Sequence, residues 1–363
     1  MKNEAKLINE RGTLQLGLIG LGWVTERLHL PALKRTRSAH LFGVADQDQD
    51  QLTRVAEQFQ IPRRYSDYRA LLDEPGIEAV GVWLPDEKQV EAAQAVLAAK
   101  KHLIIEKPLL LDLKIWDKLI EQAENADRQI IVVGLPRRWH RHVRRARTFI
   151  DQGILGKIRL IRTALTGRNP EHQTLPAEGD RHPAKGVLYH FGVQHFDTLQ
   201  ALFPSNVQEI SAISSADEST VAVTGRMSDG VVVSSTFSEG ESLNDEVEIY
   251  GQAGCLRVSC YRFDGFEYFT PAVHPGDLKF RMTQAMHSLM ELPQGLLRMR
   301  RGGDFIDSYR AGWHHCVDAI RRDVRPDCTL VEARRALQLV LTAKESVRLG
   351  RPVKLNPPAH DRV

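Results

Sequence analysis

The run Leu16-Gly17-Leu18-Ile19-Gly20-Leu21-Gly22-Trp23-Val24-Thr25 decides how the rest of this chain is read. Residues 16–19 form a short apolar stretch, the pattern of a buried strand, and they stop at a glycine. Residues 25–37 then read as a helix. A strand that turns through Gly-x-Gly into a helix offers backbone N–H groups at the positive end of the helix. The first glycine allows the tight turn, and the second leaves room for a pyrophosphate. Thr25 stands where glycine or alanine usually packs helix against strand. Outward from this turn, a strand at 41–45 closes on Asp46, 24 positions after Gly22. A carboxylate there accepts from a ribose 2′-OH and repels a 2′-phosphate, and neither Gln47 nor Asp48 adds a cation. The turn reads as a dinucleotide site with NAD preferred over NADP.

The same alternation continues. Apolar strands are expected at 80–84, 103–105 and 130–133, and helices at 51–59, 89–99 and 115–126. Strands alternating with helices mean βαβ units and a parallel, doubly wound sheet. That half ends near Gly134-Leu135-Pro136. Beyond it, a helix at 143–152, a strand at 158–165 and a helix at 186–203 precede six short β-rich runs. These lie at 207–214, 220–227, 231–237, 246–250, 256–260 and 266–269, joined by turn signals such as Asp229-Gly230. Consecutive strands with tight turns predict a mostly antiparallel sheet. Helices at 308–321 and 331–349 close the chain. The expected class is α/β plus α+β, with a Rossmann domain at 1–135 and a substrate and assembly domain at 136–363. The face of the antiparallel sheet carrying Val231, Val233 and Ser235 is expected to meet another subunit, giving a homodimer or homotetramer. A helical excursion at 279–301, with Met282, Met286, Met290 and Met299, reads as core or subunit contact.

Composition bounds the alternatives. At 363 residues the chain exceeds what one core usually supports, so two domains are the default. A net charge of +3 gives no footing for nucleic-acid binding. No apolar run is long enough to span a membrane, and residues 1–13 lack a signal-peptide core. Cys255, Cys260, Cys316 and Cys328 show neither CxxC spacing nor disulfide density, which predicts reduced thiols and a cytoplasmic location. His314-His315 has no acidic partner at ligand spacing, so no metal is expected. Most of the arginine-rich stretch at 137–147 reads as a solvated helix face.

The tripeptide Glu106-Lys107-Pro108 carries the chemistry. Lys107 follows the apolar strand 103–105, and Pro108 holds the preceding residue extended. Ligands of open α/β sheets bind outside such carboxyl ends. A lysine there can polarise or deprotonate a carbinol beside a dinucleotide. Together with the Gly-x-Gly turn, Val133-Gly134 before Arg137-Arg138-Trp139, Gly153-Ile154-Leu155-Gly156-Lys157, Gly186-Val187-Leu188 through Asp197, and the ending Glu345-Ser346 to Pro352-Val353, it resembles the Gfo/Idh/MocA (glucose–fructose oxidoreductase / inositol dehydrogenase) family. The likeness covers nearly the whole chain. It implies a Rossmann domain, a second domain with an open sheet, hydride transfer on sugars or polyols, and association through that sheet. It also implies cofactor contacts from Gly20, Leu21, Gly22, Trp23, Val24, Asp46, Leu84, Pro85, Gln89, Glu106, Lys107 and Arg138.

The family's helix reads Asp-x-Gly-x-His-x-x-Asp, whereas this chain reads His190-Phe191-Gly192-Val193-Gln194-His195-Phe196-Asp197. His190 takes the aspartate position and Gln194 the histidine position. His190, Gln194 and Asp197 are spaced to share one helix face, while His195 points elsewhere. Carbinol oxidation releases a proton to a base that works best with a pKa near the operating pH. Gln194 cannot titrate, and Lys107, starting near ~10.4, would need lowering at a cost of about 4 kcal/mol. His190, near ~6.5, needs almost none. His190 is therefore expected as acid/base, with Lys107 polarising the oxygen and Gln194 orienting the substrate. Tyr189, Arg168, Arg181 and His182 complete the expected substrate surroundings. The residues leave two alternatives open: a non-catalytic member that senses NAD and a ligand, and a C=N reductase.

Overall fold

The computed structural model describes residues 12–106, 112–125, 129–167, 186–240, 242–271 and 277–355, to which every structural statement here refers. The chain divides into two units, Met1–Pro136 with Ile306–Arg334, and Arg137–Phe305 with Arg335–Val363.

In the first unit six strands form one all-parallel sheet. They are β1 (Leu14–Ile19), β2 (Ala39–Ala45), β3 (Arg63–Tyr65), β4 (Ala79–Val82), β5 (His102–Glu106) and β6 (Ile131–Gly134). Their spatial order is β3-β2-β1-β4-β5-β6, so the winding reverses between β1 and β4. That reversal is where open α/β sheets leave a crevice at their carboxyl ends. Leu14, Leu16 and Leu18 of β1 are fully buried. Each contributes roughly 1.5–3 kcal/mol by leaving water.

Three features differ from the sequence reading. The strand β3 and the helix Tyr68–Leu72 were not expected, because Arg63-Arg64-Tyr65 is too short and charged to read as a strand. The helix after the glycine turn is a wide π turn, Thr25–His29, followed by Leu30–Leu33. Leu30 N–H reaches Thr25 O, five residues back, and Pro31 follows with no N–H to continue a regular ladder. Finally, the boundary near 135 omits a return of the chain. The helix Gly303–Arg322 sets Tyr309, Trp313, Cys316, Val317 and Ile320 into the same core as Leu14, Leu16 and Val44. Arg321 clamps Glu78 at 2.6 and 2.9 Å, and Arg334 pairs with Asp117. A sequence read in order has no signal for a segment that crosses back to cover an earlier sheet.

The second unit is built on an eight-stranded sheet. Its strands are β7 (Ile158–Gly167), β8 (Val207–Ser214), β9 (Thr220–Met227), β10 (Val232–Glu239), β11 (Asn244–Gly251), β12 (Gly254–Ser259), β13 (Phe266–Phe269) and β14 (Val353–Lys354). The order is β13-β12-β11-β7-β10-β9-β8-β14. Only β7 and β10 pair in parallel; the other neighbours are antiparallel. The face expected to meet another subunit is instead the buried one. Val231, Val233 and Ser235 are at most 5% exposed, and Ser235 accepts from Thr163 Oγ1 at 2.8 Å. The alternate residues Val232 and Thr236 are exposed, and their face carries ion pairs such as Arg226–Glu209 (2.7 Å) and Arg257–Glu248 (3.0 Å). Side chains alternate across a strand, so a shift of one residue exchanges the two faces. No helix among the described residues is long and apolar enough to cross a membrane.

Candidate active site

In the first unit the turn after β1 is fixed by backbone bonds. Gly20 N–H donates to Ala45 O at 2.9 Å, and Trp83 N–H donates to Ile19 O at 2.8 Å. Gly20 sits at φ +89°, and a Cβ there would lie 2.1 Å from the Trp83 carbonyl oxygen. Only glycine fits. Gly22 differs, since nothing lies within 4 Å of where its Cβ would be. Thr25, in the position usually held by a small residue, donates its hydroxyl to Gly20 O at 2.8 Å, and so ties the π turn back to the loop.

Asp46 follows β2. Its carboxylate accepts from Leu21 N–H at 2.7 Å and Asp48 N–H at 2.9 Å. The loop is also held by Gln51, whose amide donates to Leu21 O at 2.6 Å. These residues border a cleft of about 330 Å³ at the reversal of the sheet, lined by Gly20, Leu21, Gly22, Asp46, Leu84 and Pro85 among others. Of the other expected cofactor contacts, Trp23 and Val24 are half-buried and pack on the core instead, and Gln89 is 1% exposed. Glu106 ends β5, paired with Gly134. Lys107 and Pro108 lie outside the described residues.

The cleft contains cations that the sequence reading placed nowhere near Asp46. Arg69 and Lys88 line it, with Ser66, Tyr68 and Glu91. Arg69 is engaged by Glu91 at 2.7 Å and lies 4.8 Å from the Tyr68 ring centroid. Arg69 comes from the short helix after β3, and Lys88 from the helix after β4, one residue before Gln89. The stretch Asp67-Tyr68-Arg69 carries no motif, and its helix has only 5 residues.

In the second unit the residues singled out lie on another π turn, Leu188–Gly192, which runs into the helix Val193–Leu202. Single π turns inside helices recur at functional sites. His190 and Gln194 are half-buried, and Tyr189 is 5% exposed with its ring edge-on to His190 at 5.4 Å. Asp197 does not share their open face. It is fully buried and receives Arg138 through Nε at 2.8 Å and through a terminal nitrogen at 2.5 Å. Arg138 thus anchors the helix that carries His190 and Gln194. Arg137 beside it pairs with buried Asp245. His195 is fully buried with its ring edge-on to Phe237 at 5.3 Å, and burial pulls its pKa down to about 3. It is a neutral core residue. Arg168, Arg181 and His182 lie outside the described residues. No group of three or more metal-ligating side chains occurs among the described residues.

Residues 14–134 match the model of an oxidoreductase family with an NAD-binding Rossmann fold, and residues 143–257 match the GFO/IDH/MocA C-terminal domain. The chain is 26% identical over 354 residues to the myo-inositol 2-dehydrogenase of Thermotoga maritima, covering 94% of this chain and 98% of that one. Two solved structures share the fold. An NAD-binding oxidoreductase from Klebsiella pneumoniae superposes with a TM-score of 0.78 at 19% identity, over 95% of this chain and all of the other. The scyllo-inositol dehydrogenase of Lactobacillus casei, with bound NAD(H) and scyllo-inositol, gives 0.73 at 17%, over 94% and 99%.

Proposed function

The chain belongs to the Gfo/Idh/MocA family of NAD-binding oxidoreductases, and on that premise we propose that it moves a hydride between NAD and a secondary alcohol or ketone of a sugar, cyclitol or sugar conjugate. The observation that carries this reading is the cleft under Gly20–Gly22, with Asp46 at its rim. NAD fits the residues present. The Gly20 conformation excludes any Cβ, Gly22 leaves open space for a close approach, and the Asp46 carboxylate suits a ribose hydroxyl. When bound, NAD supplies the hydride acceptor.

This chain's own residues handle the proton and the orientation. His190 takes the proton from the substrate hydroxyl in oxidation and returns it in reduction. Gln194, an amide that cannot titrate, donates to and accepts from substrate hydroxyls. Lys107, in the position given by the family resemblance, polarises the reacting oxygen. Arg138 positions His190 and Gln194 through Asp197. The exchange of the family's histidine for Gln194 favours a second reading, a ligand-sensing member without turnover. The outer face of the eight-stranded sheet supports association of copies, as in the resembling family, and the charge ladders on it set the register.

Calorimetry with NAD and NADP, followed by a turnover screen over inositols and sugars, tests the proposal. The expected outcome is tighter NAD binding, weakened in Asp46→Ala, and NADH formation with at least one polyol. Tighter binding of NADP to the unmodified protein would overturn the cofactor assignment. NAD binding with no turnover on any polyol, sugar or imine would leave the sensing member as the surviving reading.

A further inference from the structure

The helix Leu278–Arg300 in the second unit is amphipathic with its faces reversed. Toward its own unit it turns a polar seam. Ser288 donates to Asp264 at 2.7 Å, Glu291 approaches Arg141 at 3.7 Å, Arg298 lies 3.7 Å from Asp304, and Gly295 packs on Phe263. The opposite face presents Met282, Met286, Leu289, Met290, Leu296 and Met299 at 54–73% exposure. Helices of globular proteins turn their apolar stripe to the core, and monomers rarely expose a contiguous apolar patch beyond a few hundred Å². Residues 282, 286, 289 and 296 also keep the 4-3-7 spacing of a heptad seam, and Met290 and Met299 widen it.

We propose that a second copy of this chain covers this face, the two helices crossing near Leu289. The size of the patch fits: side chains this large and this exposed offer on the order of the ~800 Å² that each partner buries in a standard interface. Pro293 lies exposed in the same helix and has no N–H for the Leu289 carbonyl. Hydrocarbon provides no donor for such a carbonyl and a protein neighbour does, which favours protein over lipid. A face bared from synthesis onward needs a partner present at matching concentration, and another copy always is. Arg281 stands near one end and Arg300 and Arg301 at the other. Crossing at the midpoint lets these like charges diverge, whereas full antiparallel overlap would set them against each other.

This surface is separate from the outer face of the eight-stranded sheet, and one contact of each kind closes a tetramer. The test is sedimentation velocity from 1 to 50 µM (concentrations chosen to bracket ~10 µM affinities) on the whole chain. The arms are wild type, Met286→Glu with Leu289→Glu, Thr224→Arg with Thr236→Arg on the sheet, and all four changes together. The helix pair is expected to weaken association at least 100-fold and lower the mass by one step, and the fourfold variant to be a single chain. NAD binding and thermal melting serve as fold controls, and Met290→Lys replaces the helix pair should it misfold. A helix pair that keeps the wild-type mass overturns the proposal, as does a wild type that is a single chain at 50 µM. Wild-type binding to phosphatidylserine vesicles that the helix pair abolishes, with no change of mass, would overturn it in favour of lipid. If the sheet variant alone changes nothing while the helix pair yields single chains, the sheet contact fails and this proposal stands.

Discussion

The two π turns of this protein invite comparison. One, Thr25–His29, follows the Gly20–Gly22 loop; the other, Leu188–Gly192, carries His190. The first is specified through the backbone: a glycine that admits no Cβ, a carboxylate on a loop N–H, a threonine bonded to the turn. The second presents side chains, His190 within the turn and Gln194 just after it, on a helix anchored by the buried Arg138–Asp197 ion pair. Backbone constraints tolerate little substitution, so the nucleotide half has both glycines of its motif and departs from it only at Thr25. Side-chain chemistry can be exchanged on a fixed helix: where the resembling family reads aspartate and histidine, this chain reads His190 and Gln194.

The largest expected effect separates the two units by acid. His140, His142 and His195 all lie in the second unit, and burial lowers their pKa values to about 4, 3 and 3. Neutral when folded, they take up protons on unfolding once the pH falls below ~6.5. The stability they provide is complete above that pH and is lost as the pH falls toward 4, at up to ~1.4 kcal/mol per pH unit for each histidine. Hydrogen exchange between pH 7 and 4 should show amides of β9 and β10 losing protection before those of β1 and β4. Equal loss in both units would contradict this.

Arg138→Ala comes next. It strands the fully buried Asp197 without its cation, which should cost about 3–5 kcal/mol. Arg138→Ala with Asp197→Leu should recover much of that loss on a urea curve. His190→Ala is expected to lower turnover by about 10²–10⁴-fold with little change in NAD affinity. Unchanged turnover would remove His190 from the mechanism, and single-turnover kinetics would show which step it serves. The smallest contrast lies inside the glycine turn. Gly20→Ala must displace the Trp83 carbonyl and should cost about 3 kcal/mol. Gly22→Ala should fold within ~1 kcal/mol of wild type and lose NAD affinity. Thermal melting and calorimetry on this pair distinguish a residue needed for the fold from one needed for the ligand.

Legibility in the sequence followed the same division. The run from Leu16 to Thr25 and the carboxylate at Asp46 were readable because periodicity and turn chemistry are local. Arg69 was not, since it reaches the cleft from a five-residue helix whose own sequence carries no period or motif. Lys88 and Glu91 lie on the expected helix beside Gln89, and no local signal turned them toward Asp46. The ion pair of Arg138 with Asp197 joins residues 59 positions apart, and sequence spacing alone cannot pair them. Which face of β10 is inside was misread by one residue. Val231, Val233 and Ser235 alternate correctly, but only the helices packed on them reveal that they point inward. The apolar stripe of Leu278–Arg300 was visible as a pattern, while its outward direction was not.

The return of Ile306–Arg334 to the first unit has a consequence in time. Trp83 and His29 meet Trp313 and Tyr309 in one aromatic cluster, with ring centroids 4.3–5.9 Å apart. During synthesis the strands of the parallel sheet emerge first, yet the helix that completes their core follows roughly 200 residues later, or ~10–40 s at ~5–20 residues per second. Through that interval the nascent sheet waits with one flank bare while residues 137–305 of the second unit are made. The domain that comes first in sequence therefore stays unfinished until most of the second has been made, and a ribosome stalled before residue 306 would leave a dehydrogenase half that chaperones must hold.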